Sequence, residues 1–146
     1  MIEYRKENIF TSACAALVNP VNCEGTAEGL SLAFKKNFPE NFRFYEGKCC
    51  WNETKIGMLM IHWEKEKMIV NFPVKTAACT PPALSFIEKG LAALAKTIPT
   101  LGIHSIAIPA LGCENGALKW EDVKALIEKY LSTADCRIVV IPPKEA

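Results

Sequence analysis

Apolar residues along the chain fall into two patterns, short runs of apolar positions and recurrences every three or four residues, and their alternation predicts strands interleaved with helices. Residues 1–4 read as a short opening strand, and Ala15-Ala16-Leu17-Val18 as a buried strand that ends at Asn19-Pro20. Leu30, Ala33, Phe34 and Phe38 stack on one face of a helix, and Pro39 stops that run before a second turn carrying Phe42 and Tyr45. Residues 57–63 and 67–72 are two strands joined by Glu64-Lys65-Glu66, a connection of hairpin length, so antiparallel pairing is expected. Leu84, Ile87, Leu91, Leu94 and Ile98 mark the buried face of a long helix that starts after Pro81-Pro82 and ends before Pro99, with Gly90 as a small internal weakness. Residues 104–108 form a third core strand, Val123, Leu126, Ile127, Tyr130 and Leu131 a last amphipathic helix, and residues 136–141 a closing apolar strand.

Strands that alternate with helices and are apolar on both faces imply an α/β fold, a three-layer α/β/α sandwich around a mixed central sheet. At 146 residues, with no internal repeat and no linker-like stretch, the whole chain from 1 to 146 is expected to be a single domain. The longest uncharged stretch, residues 76–87, contains two prolines and is far short of the roughly 20 apolar residues a membrane-crossing helix needs. The first residues alternate charge where a secretory signal would be apolar, so a cytoplasmic protein with no membrane partner is expected. Seventeen basic against sixteen acidic side chains leave no global field for a phosphate polymer, so nucleic acid would bind only through a local patch. Seven cysteines are an odd number, and Cys14, Cys79, Cys113 and Cys136 lie in apolar runs, which suits reduced core thiols. With no Cys-x-x-Cys and two isolated histidines, no metal site is expected.

Ligands of open α/β sheets sit where strands hand over to helices. Two such junctions carry paired glycines: residues 19–29, with Gly25, Thr26 and Gly29, and residues 109–118, with Gly112-Cys113-Glu114-Asn115-Gly116-Ala117-Leu118. Glycine there serves either the turn alone or a backbone that points its N–H groups at a ligand. Two amide-lined loops at one sheet edge suit two neighbouring phosphates, although neither matches G-x-x-x-x-G-K-[ST] or G-x-G-x-x-G. Asn19 and Asn22 at the mouth of the first loop suit either a ribose hydroxyl or the turn's own backbone. Lys75 follows the strand ending Asn71-Phe72-Pro73 and is either a solvated lysine or a nucleophile. As a nucleophile it would need burial or a cationic neighbour to free its lone pair.

These strings together, Ala16-Leu17-Val18-Asn19-Pro20-Val21-Asn22-Cys23-Glu24-Gly25, Leu30-x-Leu32-Ala33-Phe34-Lys35-Lys36-x-Phe38-Pro39, Asn71-Phe72-Pro73-x-Lys75, and residues 106–120, resemble the macrodomains. More narrowly, they resemble the branch that holds the DNA ADP-ribosyl glycohydrolase antitoxins and the terminal ADP-ribose protein glycohydrolases. The resemblance covers nearly the whole chain and implies an ADP-ribose site in which the two loops cradle the diphosphate and the distal ribose. It implies that Asn8, with the backbone of Ile9 beside it, receives the adenine amino group, that Asn22 touches the distal ribose, and that Asn19 shapes the loop. It also implies that Lys75 attacks the anomeric carbon to give a transient covalent sugar adduct that water resolves, with no cofactor.

Three positions depart from the family pattern. The first loop is one residue shorter and carries Glu24 and Glu28; Glu114 and Asn115 replace a frequent glycine and apolar residue; and Gly116 stands where the protein-directed enzymes place an acidic group. The last departure makes the DNA-directed enzymes the nearer analogy. A carboxylate about 4 Å from a phosphate costs on the order of 1 kcal/mol in water and ~4 kcal/mol at an effective dielectric of 20. The resemblance therefore implies an ADP-ribosyl glycohydrolase that acts on a modified macromolecule, with DNA slightly preferred to protein. The alternatives are a non-catalytic ADP-ribose-binding module and an ADP-ribose 1″-phosphate phosphatase. An antitoxin role would further require a cognate toxin or transferase, which the sequence does not name.

Overall fold

Six strands form one mixed sheet in the computed structural model, which describes residues 1–144: β1 (Ile2–Tyr4), β2 (Ala16–Val21), β3 (Met60–Glu64), β4 (Lys67–Pro73), β5 (Ser105–Ile108) and β6 (Arg137–Val140). Their spatial order is β1-β6-β5-β2-β4-β3, and every neighbouring pair is parallel except β3 with β4. The hairpin is tighter than the sequence suggested. Glu64 pairs with Lys67, and Lys65 and Glu66 make a two-residue turn with φ of 52° and 63°, the twist that a right-handed hairpin favours.

The alternation of side chains along the strands sorts the core into two layers. Ala16 and Val18 of β2, Val70 and Phe72 of β4, and Ile106 and Ile108 of β5 face Ile87, Leu91, Leu94 and Ile98 of α3 (Leu84–Thr100) and Val123, Ile127 and Leu131 of α4 (Trp120–Leu131). Leu17, Ile69, Ala107 and Val139 face the opposite way, onto Phe34 of α1 (Gly29–Asn37) and Phe38. Helix α2 (Pro39–Cys50) covers the rest of that face through Tyr45 and Cys49, packed with Val21 and Met60. This is the α/β/α sandwich with a mixed sheet that the pattern implied. None of the helices among the described residues is long and apolar enough to cross a membrane.

Several boundaries differ from the sequence reading, each for a local reason. Strand β2 does not end at Asn19-Pro20 but runs to Val21. It pairs with β5 only at Ala16 and Leu17, while its pairing with β4 continues to Val21, so Pro20 lies where the strand has a neighbour on one side only. The same parting leaves the carboxyl ends of β2 and β5 unpaired with each other. Helix α2 is twelve residues long, not one turn, because its buried positions Asn41, Tyr45 and Cys49 recur every four residues but include a polar residue. Helix α3 passes through Pro99 and is closed by Gly102 at φ 63°, with the Leu101 and Ile103 N–H groups donating to the Thr97 and Ile98 carbonyls. Strand β3 starts at Met60 rather than at Gly57, whose φ of 86° belongs to a turn. Cys14, Cys113 and Cys136 are buried thiols as expected, but Cys79 is exposed in the segment after β4.

Candidate functional site

The chain leaves β2, β4 and β5 at one rim, because these strands run parallel. Strand β2 feeds α1 through a first loop, residues 22–28; β4 feeds α3 through a strap, residues 74–83; and β5 feeds α4 through a second loop, residues 109–119. Beyond β2 the chain returns as β3 and β4 on one side, whereas β5 lies on the other and hands over to β6, so the unpaired ends of β2 and β5 mark a switch point of the sheet.

The first loop is built around a phenol. Tyr45 is 1% exposed; its hydroxyl accepts from the Gly25 N–H at 3.2 Å and lies 2.8 Å from the Asn22 carbonyl and 2.7 Å from Asn22 Oδ1. Burial holds this phenol well above its ordinary titration range. Asn22 completes the loop, its amide donating to Thr26 Oγ1 at 2.7 Å and its Oδ1 accepting from the Glu24 N–H at 2.9 Å. Of the two roles open to Asn22, the geometry displays the loop-shaping one: its side chain is buried and its amide is occupied within the loop. Gly25 at φ 84° and Gly29 at φ 55° take backbone conformations that other residues rarely adopt.

Carboxylates tie the first loop to its neighbours. Glu24 Oε1 accepts from the Ala78 N–H of the strap at 2.6 Å, and the Cys23 N–H donates to the Thr76 carbonyl at 3.3 Å. Lys75 Nζ lies 2.5 Å from Glu28 Oε1 and donates to the Ala78 carbonyl at 3.1 Å, with its side chain 21% exposed. Of the two conditions a free amine was expected to need, burial or a cationic neighbour, Lys75 is largely buried and the neighbour it meets is anionic. Glu114 of the second loop reaches across to α1, where its Oε1 accepts from the Leu30 N–H at 3.1 Å.

Within the second loop, Gly112 at φ 72° leaves room for Leu118, whose Cδ1 would sit 2.6 Å from a Cβ there. Residues 114–116 make one tight helical turn with Asn115 at φ 57° and Gly116 at φ 70°, and the Ala117 and Leu118 N–H groups close it on the Glu114 and Gly112 carbonyls. Burial, followed by the charge of Glu121, pushes the Cys113 thiol up to about 11, which favours the protonated thiol.

The structure thus gathers Asn22, Gly25, Thr26, Gly29, Lys75 and the second loop along one rim. Asn19 lies elsewhere. It sits inside β2, 4% exposed, donating to Asn71 Oδ1 at 3.0 Å in a buried network that continues to Asn41 of α2 and, through the Asn41 N–H, to Glu64. Its own Oδ1 is buried with no hydrogen-bond partner among the described residues. Asn8 caps a short helical turn, Ile9–Thr11, accepting from the Phe10 N–H at 2.9 Å, and Ile9 is buried on the α1 face of the sheet. Sequence reasoning gave Tyr45 only a place in the turn after Pro39. A fully buried tyrosine needs a partner for its hydroxyl, and that was the available signal.

A family model described as Macro domain matches residues 18–127. The chain is 38% identical over 149 aligned positions to the DNA ADP-ribosyl glycohydrolase of Mycobacterium tuberculosis, covering 98% of this chain and 42% of that protein. It is 33% identical over 140 positions to the DNA ADP-ribosyl glycohydrolase of Thermus aquaticus, covering 92% and 39%. The solved macrodomain of Thermus aquaticus DarG superposes with a TM-score of 0.93 at 32% identity, covering 98% of this chain and 99% of that one. The chain spans about two-fifths of the length of these curated relatives. With the family match spanning β2 to α4 and the same sheet and helices in the solved relative, this chain belongs to the Macro domain family.

Proposed function

We propose that this chain, as a single macrodomain, is an ADP-ribosyl glycohydrolase that removes ADP-ribose from a modified macromolecule, with DNA preferred to protein as the carrier. The observation that carries the reading is an amine, Lys75 Nζ, held by a carboxylate, Glu28, at the start of α1 and beside two glycine loops. The names of the relatives from Mycobacterium tuberculosis and Thermus aquaticus support the activity and the carrier. In this reading the diphosphate lies between the Gly25 to Gly29 backbone and the second loop, from Gly112 to Leu118, while Asn8 and Ile9 flank the adenine. Glu28 takes the proton that Lys75 must lose. The freed nitrogen bonds to the anomeric carbon as the bond from that carbon to the carrier breaks, the electron pair leaves with the carrier, which takes the proton from Glu28, and the sugar–lysine adduct interconverts with its ring-opened imine, the form that borohydride reduces. Water then replaces the amine, giving free ADP-ribose and restoring Lys75 and the carrier. No cofactor enters the balance. Glu28 thus does the work for which Gly116 has no side chain.

A second reading, a binding module without turnover, draws on the same pair, because the contact with Glu28 occupies the Lys75 amine. Borohydride trapping during incubation with ADP-ribosylated DNA separates the two. The hydrolase reading expects released ADP-ribose and a mass gain of one ADP-ribose unit in the wild type, with neither in Lys75→Ala. Ligand binding by calorimetry with no adduct and no release from DNA, protein or the 1″-phosphate leaves the module.

A further inference from the structure

Glu114 of the second loop crosses to the first turn of α1. Its Oε1 accepts from the Leu30 N–H, and its carboxyl group fills the space over Gly29: a Cβ built there would stand 2.3 Å from Oε2 and 3.1 Å from Oε1. Glycine at 29, with φ of 55°, is what allows the approach. The next two amides, of Ser31 and Leu32, are occupied by the Glu28 carbonyl. A carboxylate therefore lies where the peptide dipoles of α1 favour an anion, bonded to an amide of the helix's first turn.

We infer that Glu114 sets the affinity of this site by acting as an internal substitute for a phosphate, which an incoming diphosphate must displace from Leu30. The inference rests on the function proposed above and deepens it. Chemically the exchange is one anion for another at the same donor, so the bound ligand gains only the difference between two charge-assisted hydrogen bonds. The displaced carboxylate, confined to the same short loop, then stays near the phosphates and repels them. Glu114 is itself exposed, so its side chain has room to swing out. Glu24 and Glu28 add to the barrier less directly, since their partners, Ala78 and Lys75, lie on the strap rather than on α1.

The test uses the whole chain, as the wild type, Glu114→Gln, Glu114→Ala and the charge control Glu40→Gln, which changes an exposed residue at the start of α2. Calorimetry with ADP-ribose is expected to show affinity raised about tenfold or more in both Glu114 variants and unchanged in the control, the gain of removing one negative charge close to a phosphate. Equal or weaker binding in both variants overturns the inference while leaving the glycohydrolase reading intact. Hydrogen exchange at the Leu30 amide, read by NMR, tests the same displacement without ADP-ribose. Exchange is expected to quicken in Glu114→Ala and to slow again when inorganic pyrophosphate is added. A Leu30 amide insensitive to the substitution, or one that pyrophosphate does not protect, overturns the inference even if no form of the protein binds ADP-ribose, a result that would separately end the proposed function.

Discussion

A single hydroxyl decides the shape of the first loop. The Tyr45 phenol satisfies the Gly25 N–H and the Asn22 carbonyl in a place that water does not reach, so Tyr45→Phe leaves both groups without a partner while keeping the ring's packing. The expected loss of stability is about 1–3 kcal/mol. ADP-ribose affinity should fall with it, because the loop is no longer held open around Gly25; urea denaturation and calorimetry on the same variant check both, and an unchanged affinity would show that Tyr45 serves the core alone. At this scale the sequence exposed the residues with the strongest local signatures, Lys75 and the paired glycines, because a lone lysine or a strand-to-helix glycine stands out within ten residues. It hid the bonds between them. Glu28 meets Lys75 across 47 positions, Glu24 meets Ala78 across 54, and Glu114 meets Leu30 across 84. Whether those carboxylates turn inward depends on which strands lie side by side, and no local pattern encodes that.

Elements show the same division between local and distant causes. Gly90, a weakness by helix propensity, is where the ring of Phe72 from β4 lies against α3: a Cβ there would come within 2.2 to 2.8 Å of three ring atoms. Phe72 is fully buried, so Gly90→Ala is expected to destabilise by about 1–3 kcal/mol through overpacking, against the roughly 1 kcal/mol that alanine gains in a helix. Urea unfolding decides between the two, and a stabilised variant would mean that the ring relaxes. The sequence made α3 and α4 legible because their buried positions are apolar and regularly spaced. It misjudged α2 because Asn41 occupies one of the inward positions, where it exchanges hydrogen bonds with Asn71. The end of β2 was misread for a related reason. Pro20 looks like a terminator until the parting of β2 from β5 shows that one flank there needs no donor.

Over the whole molecule, charge bears on how a DNA carrier would be held. The seventeen basic residues barely outnumber the sixteen acidic ones, and many of the cations are already engaged. Lys35, Lys48 and Lys65 lie over the rings of Phe42, Phe44 and Phe38; Lys67 is bonded to the Ser12 and Cys14 carbonyls; Lys129 and Arg137 are paired with Glu88 and Glu3; and Lys75, at the site itself, is held by Glu28. A protein that neutralises Z phosphates of duplex DNA shows a slope of about −0.9Z when log affinity is plotted against log salt. With so many cations committed elsewhere, the grip on modified DNA should come from the ADP-ribose group, and the slope should be no steeper than about −2. The KM for ADP-ribosylated DNA should accordingly change little with the length of the flanking strand, and free ADP-ribose should compete with an inhibition constant close to that KM. Measuring KM across a salt series on a short and a long modified oligonucleotide, with free ADP-ribose as competitor, checks all three. A slope of about −5 or steeper, or a KM that falls as the strand lengthens, would place a phosphate-binding stripe beside the site and make DNA itself part of what is recognised.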